Sequence, residues 1–166
     1  VTTRLVLGHR MTQDDPYNIT DYTYEANTTA YGKLNPRLTK EINLNTLTNI
    51  TTTTSYTYGE FDYPKTVAIT YGTGTTVEAV KTHSYEYEHK NTAANYVLGA
   101  LTSDLKADII PSQQKFWYEK QIYTYNDLQQ PVTCVEYVGA STSSLNKKRE
   151  IRWTYDTYGN ILSEMV

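Results

Sequence analysis

Trp153-Thr154-Tyr155-Asp156-Thr157-Tyr158-Gly159-Asn160-Ile161-Leu162 is the stretch that decides the fold. Aromatic side chains at i and i+2 share one face of a strand but fall on different faces of a helix, so Trp153 and Tyr155 mark a strand. Asp156 then stands where a turn is entered and Gly159 where a positive φ is needed, and apolar residues resume at Ile161. The stretch predicts a β-hairpin with an aromatic face.

Outward from this hairpin, the aromatic-x-Tyr pattern recurs at Tyr22-Thr23-Tyr24, Tyr56-Thr57-Tyr58, Tyr85-Glu86-Tyr87 and Tyr123-Thr124-Tyr125. The first positions of the five copies are 34, 29, 38 and 30 residues apart. That spacing is too uneven for a strict solenoid but fits one supersecondary unit repeated with unequal loops. Alternation supports strands in the flanks: Ile42 to Tyr58 reads as one long strand, or as two with a turn near Asn49. Val67, Ile69 and Tyr71 follow Pro64, and a returning strand follows Pro131, where proline removes only an N–H that need not be paired. Five hairpins are expected, beginning near residues 22, 56, 85, 123 and 153, in one segment spanning 1–166. Residues 91–110 read as helix or strand, with strand favoured because a returning partner is needed. Residues 25–37, with Gly32 and Pro36, read as a long loop.

Composition agrees. Leu, Ile, Val and Phe total only 33, while there are 17 Tyr, 2 Trp and 28 Thr, so any core is aromatic and the chain is rich in strand formers. The 15 basic and 18 acidic residues give a net charge of -3, without the basic excess that phosphate binding requires, so no nucleic-acid partner is expected. No apolar run approaches the roughly 18 residues of a membrane span. Lone Cys134 excludes an internal disulfide framework and a multi-cysteine zinc site. The first residue is Val1 and no signal-peptide pattern is present, which reads as a piece of a larger protein.

The decisive stretch resembles the YD repeat of the Rhs family, whose pattern is aromatic-x-Tyr-Asp-x-x-Gly-Arg/Asn-aliphatic. Trp153, Tyr155, Asp156, Gly159, Asn160 and Ile161 match it, whereas the Tyr123 copy has Asn126 for the Asp and Gln129 for the Gly. The resemblance implies antiparallel hairpins winding into a spiral sheet, which in large family members closes into a shell around a C-terminal toxic effector. It also implies a bacterial secreted or cell-surface location and adjacent repeats of the same parent chain as partners. The family's aspartyl autoproteolytic segment is not matched, since Asp15-Pro16 is followed by Tyr17-Asn18.

A search for chemistry yields no catalytic constellation. His83 and His89 share the predicted strand face of Tyr85 and Tyr87, but six residues along a strand is about 20 Å and a third metal ligand is lacking. His9 with Asp14 or Asp15 lacks a nucleophile elbow. Cys134 reads as an inert buried thiol, and Gly72-Thr73-Gly74-Thr75-Thr76 as a hairpin turn rather than a phosphate loop. Glu60, Asp62, Glu86 and Glu88 show no spacing that singles out a carboxylate pair. The expectation is therefore a non-catalytic, cofactor-free structural repeat segment of a toxin-encapsulating shell. The alternative is carbohydrate binding or adhesion through exposed aromatics, with Trp117, Tyr118 and Tyr158 as the glycan contacts.

Overall fold

The computed structural model describes residues 4–10, 17–28, 34–91 and 96–166. They form eleven strands: β1 (Arg4–Arg10), β2 (Asn18–Thr28), β3 (Leu34–Asn45), β4 (Ile50–Tyr58), β5 (Pro64–Thr73), β6 (Thr76–Asn91), β7 (Tyr96–Ile110), β8 (Lys115–Tyr125), β9 (Pro131–Gly139), β10 (Asn146–Tyr155) and β11 (Ile161–Met165). Two single 3₁₀ turns, Glu60–Asp62 and Pro111–Gln113, are the helical elements among the described residues. All eleven strands belong to one antiparallel sheet whose spatial order is the chain order. β1 is followed by five hairpins, β2–β3, β4–β5, β6–β7, β8–β9 and β10–β11, each led by an aromatic-x-Tyr strand.

The sheet is an extended single layer. The chain exposes 11480 Å², against about 8,400 Å² for a compact monomer of 19.0 kDa. The buried apolar residues are Val97, Ala107 and Cys134, and among the described residues no side chain is less than 2 % exposed. Cohesion therefore comes from ladder hydrogen bonds and cross-strand side-chain pairs, each worth about 0.2–1 kcal/mol. Residues directly opposite share a face, so register sorts the two sides. Tyr56, Val67, His83, Lys106, Glu119 and Val138 form one row of the aromatic face. Thr23, Lys40, Ser55, Ala68, Thr82, Ala107 and Tyr118 form a row of the other, where small and hydroxylated residues prevail.

The expected loop over residues 25–37 is corrected: β2 continues to Thr28 and β3 begins at Leu34, with Glu25 opposite Arg37 and Ala26 opposite Pro36. An ion pair between Glu25 and Arg37 at 2.7 Å draws this part of the hairpin together, and Pro36 is accommodated within β3 itself. Asp14, Asp15 and residues 29–33 lie outside the described residues. The Ile42–Tyr58 alternation resolves into two strands joined by Thr46–Asn49, with Asn49 at φ 55. Residues 96–110 are strand throughout.

Three hairpins use one five-residue connection. The first residue's N–H donates to the fifth residue's carbonyl from Gly59 to Tyr63 at 2.9 Å, from Asn126 to Gln130 at 3.0 Å and from Asp156 to Asn160 at 2.9 Å. Asn126 Oδ1 accepts the amides of Leu128 and Gln130 at 3.0 and 2.9 Å. Asp156 Oδ1 accepts those of Tyr158 and Asn160 at 2.9 and 2.8 Å. An amide oxygen thus does the work of a carboxylate oxygen, which is why the Asn126 copy keeps the turn. The fourth residue is left-handed in all three, Asp62 at φ 63, Gln129 at φ 63 and Gly159 at φ 89, a region that strains residues bearing a Cβ. Replacing Gln129 by Gly should stabilise the chain by about 0.5–1 kcal/mol in urea unfolding, whereas Gly159→Ala should destabilise it by about 1 kcal/mol or more. An alanine Cβ at 159 would also lie 2.8 Å from Gln130 Nε2.

Candidate functional site

Tyr22, Tyr24, Tyr56, Tyr58, Tyr85, Tyr87, Tyr123, Tyr125, Trp153 and Tyr155 all stand half-buried on the same face, within β2 and β6 and at the C-terminal ends of β4, β8 and β10. They occupy alternate strands rather than adjacent ones. Consecutive copies are separated by a returning strand, about 9.5 Å apart. The contacts within a strand are Tyr22 to Tyr24 at 6.5 Å and the run His83, Tyr85, Tyr87, His89 at 6.0, 6.3 and 6.3 Å between centroids.

A second periodicity accompanies the first. In every copy the middle residue of the motif and the following tyrosine pair with returning-strand residues two apart, leaving one residue bulged between them. The bulged residues are Thr39, Lys65, Thr102, Val132 and Leu162. A bulge interrupts the ladder and frees a backbone group nearby. Tyr58 donates its hydroxyl to the Leu38 carbonyl at 2.7 Å, Tyr125 to Leu101 at 2.7 Å and Tyr155 to Pro131 at 2.7 Å. Each acceptor immediately precedes the bulged residue of the preceding hairpin. For Tyr87 the ring instead packs against Tyr63, with centroids 5.1 Å apart, and Tyr63 donates to the Leu98 carbonyl at 3.3 Å.

Hydroxyl pairs reinforce the same positions on the opposite face. Thr57 meets Thr66 and Thr124 meets Thr133 at 2.6 Å, and Thr154 meets Ser163 at 2.7 Å. In the first and third hairpins the bulged residue is itself threonine: Thr39 donates to the Thr23 carbonyl at 3.1 Å and Thr102 to the Glu86 carbonyl at 3.0 Å. Arg37, absent from the sequence reading, joins the first two hairpins. Its guanidinium bridges Glu25 and Asp62 at 2.7 Å each and lies 5.0 Å above the Tyr58 ring.

Polar groups occupy the middle of the aromatic face. Arg149 grips Glu136 through two hydrogen bonds of 2.7 and 2.8 Å, Gln121 donates to Glu136 at 3.1 Å, and Tyr123 donates to Gln121 at 2.9 Å. Arg149 holds the Glu136 carboxyl below the ordinary carboxylate range. Burial pushes Tyr123 up to about 12, assisted by Cys134 beside it. Cys134 is 3 % exposed, and burial raises its thiol pKa, which is the setting of an inert cysteine. Asp104, also buried, lies 3.6 Å from His83 and 3.9 Å from Lys106. His89 Nδ1 accepts the Gly99 amide at 3.1 Å, so the two strand histidines serve separate local contacts. Among the described residues no three His, Cys, Asp or Glu side chains are grouped to hold a metal ion, and no helix is long and apolar enough to cross a membrane.

The three residues read as glycan contacts do not converge. Trp117 opposes Asp108 on the aromatic face and Tyr118 opposes Ala107 on the other, because successive strand residues point to opposite sides. Tyr158 is 90 % exposed at the tip of the β10–β11 turn. The bulge register, the tyrosine hydroxyl acceptors and the Arg37 bridge were beyond the sequence reading. The local hints were the prolines at 64 and 131, which sit at the returning-strand position opposite Tyr58 and Tyr125.

The chain matches no family model and no curated protein. Among solved structures it is similar to a protein of unknown function from Bacteroides fragilis, at 14 % identity over 90 % of this chain and 92 % of that one, with a TM-score of 0.27.

Tyr125→Phe, which deletes a donor and leaves the Leu101 carbonyl without it, should cost about 1–2 kcal/mol in urea unfolding. Tyr158→Phe, at the exposed turn tip, should change stability by less than about 0.5 kcal/mol. A lowered folded pKa means that the stability contributed by Glu136 is present above the unfolded carboxyl value of 4.5 and is lost as pH falls through the lower folded value. Stability measured against pH should show this acid loss, and Glu136→Gln should flatten that part of the curve.

Proposed function

We propose that the chain is a non-catalytic wall segment of a secreted or surface bacterial shell of the Rhs type, enclosing a C-terminal effector. The observation that carries this reading is the open, single-layer sheet of five hairpins in chain order, adjacent hairpins being tied by a tyrosine side chain rather than by a common core. A wall needs area and continuity instead of an enclosed centre, and nearest-neighbour stacking supplies both. The buried carboxylates speak for structure too, since Glu136 is engaged by Arg149 and Gln121 and Asp104 stands against His83 and Lys106.

The reading assigns further strands of the same kind to the two sheet edges. β11 presents Ile161, Leu162 and Met165 at 58, 67 and 60 % exposure, and an edge strand offers unpaired backbone groups to any neighbour. Sedimentation velocity should therefore show concentration-dependent association, weakened by Met165→Lys. Cryo-electron microscopy of the protein as its source expresses it should show a β-walled shell with density inside. A clean monomer at every concentration, or a closed particle without a lumen, would overturn the wall reading.

A further inference from the structure

On the face opposite the motif aromatics, register builds contiguous rows without charge. Ile42, Thr53, Thr70, Val80, Ile109 and Phe116 stand opposite one another in succession from β3 to β8. In the next row, Ser55, Ala68, Thr82, Ala107 and Tyr118 do the same from β4 to β8. On one flank Thr51 opposes Gly72, and on the other Thr57 continues through Thr66 and Ser84 to Leu105. Lys81, His83, Lys106 and Asp108 alternate with these positions along β6 and β7, and alternation sends all four to the aromatic face. Charge returns on this side at its margins, with Lys40, Glu86 and Lys120. A surface wetted by solvent ordinarily carries charge throughout, and a contiguous patch without it marks a face that a partner covers.

We propose that this face binds a second copy of the chain, sheet on sheet, about a two-fold axis running along β6. The size fits: six strands by four rows span roughly 25 by 25 Å, on the order of 600 Å² in projection before the relief of the side chains is counted, and a standard interface takes about 800 Å² from each partner. The chain also exposes about 3,000 Å² more than a compact monomer of its mass, so it has that area to spare. The patch is complementary to itself. A face without charge meets no like charge when it meets its own copy, and Thr57 and Thr66 satisfy each other's hydroxyls at 2.6 Å without water. Bulk is graded across it, from Thr51, Thr53 and Ser55 on β4 to Phe116 and Tyr118 on β8. An axis along β6 lays β8 of each copy over β4 of the other, so the two aromatic rings fall on Thr53 and Ser55, Ala107 falls on Ala68, and Thr82 meets its own counterpart. Large against small at the sides and small against small in the centre permit the spacing of about 10 Å at which sheets pack. Because such an interface is isologous, it closes at the dimer. The pairing goes beyond the wall reading and uses a face of the sheet, not its edges.

The edge-blocked Met165→Lys chain separates the two. Sedimentation velocity at about 100 μM, above the micromolar dissociation constants that mark the weak end for interfaces of this size, should show it as a discrete dimer. Thr82→Lys or Thr82→Glu, added to that chain, sets two like charges together on the axis and should weaken the dimer at least tenfold. An equimolar mixture of the two variants should restore it, which a merely unfolded chain would not do. Lys81→Ala, one residue away but on the aromatic face, should leave the dimer unchanged. Should the Thr82 variants lose their β circular dichroism, the pair Thr53→Lys and Thr53→Glu takes their place, each expected to weaken the dimer by obstructing Phe116 of the other copy. A monomer throughout in the edge-blocked chain overturns this proposal while leaving the edge association of the unaltered chain, and with it the wall reading, intact. Assembly of the edge-blocked chain beyond the dimer, a dimer indifferent to charge at both positions, or a Thr82 mixture that stays monomeric would overturn it equally.

Discussion

A tyrosine hydroxyl donated to the carbonyl that precedes a bulge in the neighbouring hairpin is the interaction on which this sheet depends. The bulge places one unpaired residue in the returning strand and disturbs the ladder there, and a backbone carbonyl left without a donor is costly when partly shielded from water. Tyr58, Tyr125 and Tyr155 supply that donor. Phenylalanine would fill the same space without it. The requirement accounts for tyrosine as the last motif residue in these three copies, while the first aromatic varies to Trp153.

A layer this thin spreads its stabilisation over many small terms. In the β4–β5, β8–β9 and β10–β11 hairpins the exposed hydroxyl pairs secure one face at the same level of the strands where the tyrosines secure the other, so these hairpins are clamped on both sides beside the turn. Where the tyrosine clamp changes, at Tyr87, an aromatic cluster of Phe61, Tyr63, Tyr87 and His89 takes its place, with Phe61 and His89 5.0 Å apart and Tyr63 and His89 5.7 Å apart. Toward the middle of the aromatic face, ion pairs replace rings. Cys134, Asp104 and Glu136 are buried there, and a buried carboxylate stripped of its partner is costly.

Strand identity was legible because the i, i+2 aromatic signal is periodic and local, and the same holds for the Asp156–Gly159 turn. Placement of the aromatic pairs on alternate strands follows from the hairpin unit, since the sequence marks only one strand of each hairpin. The bulges were hidden because a skipped residue leaves no composition of its own: Thr39 and Thr102 share a hydroxyl, but Lys65, Val132 and Leu162 share nothing with them or with one another. The loop expected at residues 25–37 shows the limit of turn residues as punctuation, because the Arg37 ion pairs with Glu25 and Asp62 reach across strands that sequence distance does not relate. Trp117 and Tyr118 were read as contacts of one glycan site, whereas strand alternation sends them to opposite faces.

The repeating unit is two strands, and this has a consequence for how such a chain changes in length. Adding or removing one strand from a meander would reverse the direction of every strand beyond it. Adding or removing one hairpin preserves the direction and facing of all that follow, and requires only that a tyrosine meet the bulge of whichever hairpin now precedes it. Because each unit touches only its neighbours, the change remains local to one junction. The sheet is therefore built to lengthen or shorten by whole hairpins during evolution, with gene duplication supplying pieces that fit as they arrive.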